Sequence, residues 1–338
     1  MTSSSNQSLV TVLVDTYNHE QFIDEALRSV LDQEFDMNRV EIIVVDDGST
    51  DATPQKFAAY GDRIRLIRKA NGGQASAFNI GITEARGSYI AMLDGDDWWH
   101  PRKLSRVIGC LEKNPEVGLI GHGIVITDGQ GKVQNLAPSS PVEFRLDSAD
   151  GATRFVAHRA FMGTSRMAGR TEIFRRLLPV PDALIVEADE FFFTLAPAIC
   201  KAMILPETLC YYRLHGANLY QFSGHDPRRL KLKSRVHTCL AKTIPPMLEK
   251  LGVPSAAQSV VLDHILTEAR RLHLAAFGGL PGSAFPTEWR ILRHQRQEGN
   301  VSSWAVKCGL LALAAVLPAA WFYSLLRRWS SLRGATQT

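Results

Sequence analysis

Apolar runs that stop abruptly at carboxylates constrain this chain more than any other feature of its 338 residues. Val10–Val14 ends at Asp15-Thr16-Tyr17-Asn18, Val40–Val45 at Asp46-Asp47-Gly48-Ser49-Thr50-Asp51, and Tyr89–Leu93 at Asp94-Gly95-Asp96-Asp97. Each run has the aliphatic, β-branched make-up of a strand bounded by turn formers. Val40–Val45 is apolar almost throughout, as a strand covered on both faces must be. Between the runs lie helical stretches. Ile23, Ala26, Leu27, Val30 and Leu31 recur at helical spacing over 20–31. Pro54 suits the first turn of the next helix, and further helices are predicted over 74–85 and 101–112. Ile64–Ile67 reads as another strand, leading to Asn71-Gly72-Gly73, and Val117–Ile126 as a fifth, turning at Asp128-Gly129-Gln130-Gly131.

Strands alternating with helices imply right-handed βαβ units and an α/β fold: a mostly parallel, Rossmann-like sheet flanked by helices. Ligands of such sheets bind beyond the carboxyl ends of the strands. All three acidic clusters therefore fall on one edge. Beyond the fifth strand the pattern loosens. Residues 133–160 read as loop and short elements, Glu187–Leu195 as a helix with an acidic start, and 228–300 as largely helical.

Composition excludes several classes. The 38 Lys and Arg against 34 Asp and Glu leave a formal charge of +4, too mild for a nucleic-acid binder. Cys110, Cys200, Cys210, Cys239 and Cys308 are scattered and lack metal-site spacing, which suits a reducing compartment. Met1–Ser8 has no basic and apolar leader pattern, so the bulk of the chain is expected in the cytoplasm. No G-x-x-x-x-G-K-[ST], no G-x-G-x-x-G after the first strand and no G-x-S-x-G occurs, which argues against P-loop, dinucleotide and serine-elbow chemistry. The Asp-x-Asp leaves an aspartyl phosphohydrolase open, without the small hydroxyl or valine expected after it.

Three carboxylates within Asp94-Gly95-Asp96-Asp97 repel one another unless paired. Oxygen-rich sites of this kind suit Mg2+ or Mn2+, held by one or two carboxylates together with substrate phosphates. A solvated turn in which Asp97 caps the next helix is the alternative. Trp98-Trp99 either stacks on a base or sugar or packs the next helix into the core. Asp46-Asp47-Gly48 either lets the backbone approach a ligand or is a plain Asx turn.

Taken in order and spacing, Val14 to Asn18, Val44 to Asp51, Asn71-Gly72-Gly73 through Asn79-Ile80-Gly81-Ile82, and Leu93 to Asp97 resemble glycosyltransferase family 2 over about residues 9–220. The resemblance implies the GT-A fold and inverting transfer of a sugar from a nucleoside-diphosphate donor, with uracil the expected base. Mn2+ or Mg2+ would serve as cofactor, and the acceptor would be a saccharide or lipid-linked. It also implies roles. Tyr17 would stack on the donor base and Asp47 accept a base N–H, with Thr16, Asn18 and Asp46 completing that wall. Asp96 would ligate the metal, and Asp94 would touch ribose or metal-bound water. The general base is expected in Glu187-Ala188-Asp189-Glu190, with Asp189 first and Glu187 or Glu190 next; a helix-start acid that complements the dipole is the alternative. Tyr212-Arg213-Leu214-His215-Gly216-Ala217-Asn218 resembles a later family segment in which Arg213 or His215 reaches the diphosphate or metal. Two departures stand out: Asp15 replaces a common proline, and Ala188 splits the usual Glu-Asp pair. A sugar nucleotidyltransferase would need a basic, glycine-rich N-terminal loop, and Met1–Gln7 has no Lys or Arg. A non-catalytic nucleotide-sugar scaffold is the other rival.

The expected organisation is a catalytic domain over 1–225, with its donor half at 9–125 and acceptor half at 126–225, then a helical extension over 226–300 and an apolar, basic segment over 301–338. Residues 308–326 carry no charged side chain and are flanked by Lys307 and Arg327-Arg328. That stretch approaches the roughly 20 residues needed to span a bilayer, although Gly309 and Pro318 weaken it. With the basic run at Arg228, Arg229, Lys231, Lys233 and Arg235, it leads to an expected peripheral or anchored contact through 304–333 at the inner face of the cytoplasmic membrane.

Overall fold

The computed structural model describes residues 10–128, 132–215, 218, 226–297 and 304–334. Its donor half runs β1 (Val10–Thr16), α1 (Ile23–Leu31), β2 (Val40–Asp46), α2 (Thr53–Lys56), β3 (Arg65–Arg68), α3 (Gln74–Glu84), β4 (Tyr89–Asp94), β5 (Trp98–Trp99), α4 (Lys103–Lys113) and β6 (Val117–Thr127). There follow β7 (Lys132–Leu136), β8 (Val142–Phe144), α5 (Ala149–His158), β9 (Ala168–Arg170), α6 (Thr171–Leu177), α7 (Asp189–Ile199) and β10 (Lys201–Arg213). The last helices are α8 (Pro227–Lys250), α9 (Ser255–Phe277), α10 (Phe285–Gln297), α11 (Trp304–Val316) and α12 (Ala319–Gly334).

One sheet takes the order β3-β2-β1-β4-β9-β6-β10-β5, with β7 on β6 and β8 on β10. It is parallel from β3 through β4 and again between β6 and β10; β9, β5, β7 and β8 join antiparallel. All these antiparallel additions are short, and β7 and β8 fall largely in the stretch 133–160, whose sequence reads as loop and short elements. Helix α1 covers the sheet through the face its spacing predicts, and α4 through one apolar face. Ile23, Ala26, Leu27 and Val30 of α1 are buried, as are Leu104, Val107, Ile108 and Leu111 of α4. These side chains join Val12, Val14, Val44, Ala91, Leu93 and Trp99 in one core, and β6 is buried along its whole length.

Contacts divide the chain into two compact units, Met1–His215 with Ile244–Val260, and Gly216–Thr243 with Val261–Thr338. The second has its own small core of Leu274, Ala284, Ala314, Ala319, Phe322 and Tyr323, and a bridge joins Pro281 to Pro318. The uncharged stretch 308–326 is not one helix: α11 stops at Val316 and α12 starts at Ala319, on either side of Pro318. Proline lacks the N–H a continuous helix needs at that point. Among the described residues, no helix is long and apolar enough to cross a membrane.

Candidate active site

Parallel pairing sets the first layer of the site. Thr16 lies opposite Asp46 on β2, and Asp15 opposite Asp94 on β4, so the strand ends deliver their polar residues side by side. Asp46 is fully buried; its carboxylate accepts from the Ser49 N–H at 3.0 Å and the Arg68 Nε at 2.9 Å. Asn18 sits at φ +57°, a left-handed conformation asparagine tolerates, and its Oδ1 accepts from the Thr50 N–H at 2.8 Å. Beside it the Tyr17 ring is exposed at the rim. Thr16 Oγ1 lies 3.2 Å from His19 Nδ1, and its carbonyl accepts the Asp47 N–H at 2.9 Å. Asp47 is nearly buried, and its carboxylate gathers the Gly72 N–H at 2.9 Å, the Gly73 N–H at 2.7 Å and the Lys69 ammonium. Thr16, Asn18, Asp46 and Asp47 thus form one wall, and Asp47 ties it to the glycine turn ahead of α3.

Gly95 turns the chain between the two acids of the Asp-x-Asp, where a Cβ would stand 2.6 Å from Thr16 Oγ1. Asp94 Oδ1 accepts from Gln74 Nε2 at 3.1 Å, while Asp96 Oδ2 meets His215 Nε2 at 3.0 Å and stands 3.9 Å from His19 Nε2. Desolvation raises the Asp96 carboxyl, but the His215 hydrogen bond and the two imidazoles outweigh it and hold the group below its ordinary range. Its neighbours go the other way. Desolvation, then the charge of Asp96, pushes Asp15 up to about 7 and Asp97 up to about 8, and desolvation with the Asp15 charge drives Asp94 well up. Asp15 Oδ1 is buried with no hydrogen-bond partner among the described residues.

Such a crowd of recessed oxygens fits a hard divalent cation, which would offset the mutual repulsion that adds to desolvation in raising Asp15, Asp94 and Asp97. Asp96 and His215, paired at 3.0 Å, are the side chains that could hold it. The described residues contain no cluster of three His, Cys, Asp or Glu side chains arranged as a complete cage. Mg2+ and Mn2+ sites that include substrate phosphates need only one or two protein ligands.

The Trp98-Trp99 pair divides its roles. Trp99 is core, with its indole N–H on the Ser165 carbonyl at 3.0 Å. Trp98 stacks on Tyr211 at 5.1 Å and carries the Arg213 guanidinium 4.4 Å above its ring. Arg213 donates its backbone N–H to Asp97 Oδ1 and its Nε to the Asp96 carbonyl, both at 3.2 Å.

Asp189 begins α7. The helix starts there rather than at Glu187 because Glu187 has φ +54°, outside helical geometry. Asp189 Oδ2 accepts the Thr164 N–H at 2.9 Å. Desolvation raises the Asp189 carboxyl above its usual range despite that bond. Glu190 turns away to pair with Arg159 at 2.6 Å. Sequence reasoning missed Gln74, whose side chain touches both the Asp-x-Asp and the start of α7, and also His19, Thr164 and Ser165. Gln74 directly follows Gly72-Gly73, a local cue; Thr164 and Ser165 lie in no motif.

A family model described as glycosyl transferase family 2 matches residues 11–174. An uncharacterized glycosyltransferase of Nostoc sp. is 32% identical over 231 residues, covering 67% of this chain and 71% of that relative. The chain belongs to glycosyltransferase family 2. An uncharacterized glycosyltransferase of Haemophilus influenzae is 27% identical, covering 73% of this chain and 77% of its own. Among solved structures, Staphylococcus aureus TarS 1–349 in complex with UDP matches with a TM-score of 0.60 at 18% identity, over 85% of this chain and 82% of that one. The mannosyltransferase PcManGT from Pyrobaculum calidifontis, in complex with GDP-Man and Mn2+, matches with a TM-score of 0.51 at 19% identity, over 96% and 88%. At these identities the likeness shows a shared fold, the GT-A fold. This family 2 glycosyltransferase therefore carries its acidic clusters at the strand ends of a GT-A sheet.

Proposed function

We propose that the enzyme is an inverting, divalent-metal-dependent glycosyltransferase that moves a sugar from a nucleoside-diphosphate donor, uracil-based, to a saccharide or lipid-linked acceptor. The observation that carries this reading is the juxtaposition of Asp189, at the start of α7, with the Asp94–Asp96 edge through the single side chain of Gln74. Tyr17 would stack on the base, with Thr16, Asn18, Asp46 and Asp47 as the supporting wall. Asp96 and His215, with Asp94 beside them, face the diphosphate. Mn2+ or Mg2+, when bound there, supplies positive charge to the departing diphosphate. TarS and PcManGT support a donor of this class by the UDP and the GDP-Man with Mn2+ named for them.

In the transfer, Asp189 takes the proton of the acceptor hydroxyl as that oxygen bonds to the anomeric carbon. The bond from that carbon to the diphosphate breaks on the opposite face, and the electron pair leaves with the nucleoside diphosphate. The raised basicity of Asp189 favours proton acceptance. Asp96→Asn and Asp189→Asn should each abolish transfer in folded protein, whereas Glu187→Asn should keep most of it; near-normal turnover in both aspartate variants would sink the site assignment.

Residues 1–225 would form the catalytic domain in this reading. The segment 304–333 would rest on the inner face of the cytoplasmic membrane. Support comes from Val316 and Trp321, which are 65% and 68% exposed, and from a sequence over 304–334 that holds Lys307, Arg327, Arg328 and Arg333 but no acid. Apolar area with basic residues suits anionic headgroups. Full-length enzyme should float with phosphatidylglycerol-containing vesicles at low salt; recovery entirely in the lipid-free fraction would overturn the contact.

A further inference from the structure

We infer that Gln74 is the positioning residue for the general base: it holds the two backbone segments that orient Asp189. The inference rests on the reading of Asp189 as base. Both ends of the Gln74 amide are engaged. Nε2 is shared among Asp94 Oδ1 at 3.1 Å, Thr164 Oγ1 at 3.3 Å and Asp15 Oδ2 at 3.4 Å. Oε1 accepts the N–H of Ala188 at 2.9 Å. Ala188 directly precedes Asp189, and Thr164 is the residue whose N–H binds the Asp189 carboxylate at 2.9 Å. One side chain thus grips the peptide on which Asp189 stands and the residue that orients its carboxylate.

The backbone around Gln74 strengthens the grip. Its own N–H donates to the Ile185 carbonyl at 3.0 Å, and the Ala75 N–H to the Leu184 carbonyl at 3.2 Å. These are the free donors of the first turn of α3, which has no side-chain cap. The segment 184–188 caps that helix and is fastened by it. The preceding glycines donate to Asp47. Asp47, the proposed partner of the donor base, and Asp189, the proposed proton acceptor, are therefore joined through a few consecutive residues, 72–75. Glu187 in its left-handed conformation needs such support, because an isolated chain would relax out of it.

The substitution Gln74→Met keeps the length and volume of the side chain and removes every hydrogen bond of the amide. In full-length Gln74→Met, binding of UDP, GDP or dTDP with Mn2+, read by calorimetry, should stay within about threefold of wild type. The kcat should fall about 10- to 100-fold, since a reacting group displaced by an ångström can cost up to about 100-fold. The acid limb of the kcat–pH profile should move to higher pH. The Thr164 hydrogen bond lowers the Asp189 carboxyl, against the charges of Glu187 and Glu190 and alongside Arg166; loosening that bond raises the group. Thr164→Val, which removes only the Oγ1 held by Gln74 and keeps the N–H, should show the same shift with a smaller loss, and it stands in if Gln74→Met does not fold. An unchanged kcat and acid limb in folded Gln74→Met, with Asp189→Asn inactive, overturns the positioning role. Loss of nucleotide binding in proportion to activity overturns it too, because Gln74 would then act through the donor site. An active Asp189→Asn variant overturns the base assignment itself.

Discussion

Gly73→Ala should be among the most damaging single-methyl additions in this enzyme, and its cost has two separable parts. Gly73 has φ +83° and ψ 172°, a region that only glycine occupies without strain. Holding alanine there costs about 1–3 kcal/mol. The new Cβ would also stand 2.5 Å from Ile185 Cα and 2.8 Å from the Ile185 carbonyl oxygen, where the contact is backbone and cannot swing aside. Relief requires 184–188 to lift off α3. That breaks the Gln74–Ile185 and Ala75–Leu184 hydrogen bonds, each worth about 0.5–1.5 kcal/mol. About 0.4–1 kcal/mol returns because alanine restricts the unfolded chain. The net loss is about 2–5 kcal/mol, or roughly 5–15 °C in Tm for a unit of this size.

Gly61 provides the control. It too has positive φ, +51°, but a Cβ there meets nothing within 4 Å. Gly61→Ala should lose only the conformational part, about 1 kcal/mol after the unfolded-state gain. The assay is thermal unfolding of both variants beside turnover. Gly73→Ala should lose several degrees more than Gly61→Ala and nearly all turnover, since the lifted segment carries Asp189. Equal Tm values for the two variants would refute the steric half of the reasoning, and full activity in Gly73→Ala would refute the link from α3 to the base.

Lys103 is fully buried, with Nζ 2.6 Å from the Ser165 carbonyl, and desolvation lowers it from 10.5 to about 7. Between those values the unfolded chain binds a proton that the fold does not, so stability should fall as pH drops from about 10.5 to about 7, by at most about 1.4 kcal/mol per pH unit. Lys103→Met should lack this slope; parallel urea-midpoint curves for the two proteins between pH 7.5 and 9.5 would count against it. Trp98→Ala removes a stack on Tyr211 and the ring beneath Arg213, and should cost about 1–2.5 kcal/mol and weaken nucleotide-dependent stabilisation; a Tm within 1 °C of wild type contradicts that. Chelation by EDTA should abolish both turnover and the Tm rise produced by nucleoside diphosphate, with Mn2+ restoring both; a nucleotide shift that survives EDTA would argue against a metal-bridged donor site.

The donor half of the fold is legible because its signals are local. A β-branched run followed at once by Asp46-Asp47-Gly48 needs no distant partner to mark a strand end, and parallel register then brings Asp15, Thr16, Asp46 and Asp94 together. Strand β5 is not legible: two tryptophans are too short for a period, and they become a strand only because β10 returns to pair Cys210 and Tyr211 with them. Strand β9 likewise exists through its neighbours β4 and β6. In the uncharged stretch 308–326, Pro318, which weakens a helix on sequence alone, is where α11 gives way to α12.

The candidate site divides in the same way. The candidates Asp94 and Asp96 stand out by type and neighbourhood, but the bond between Gln74 and Ala188 spans 114 positions and leaves no pattern in either segment. Nothing in Glu187-Ala188-Asp189-Glu190 says which acid faces the donor. The left-handed Glu187 delays the helix to Asp189, Arg159 claims Glu190, and Thr164 takes Asp189. Each of those partners lies far away in sequence or depends on a dihedral that residue type does not announce. Which acid stands at the start of α7 is therefore a tertiary property, and Ala188, which looks like damage to a paired-acid motif, is the residue whose N–H lets α3 hold the helix start in place.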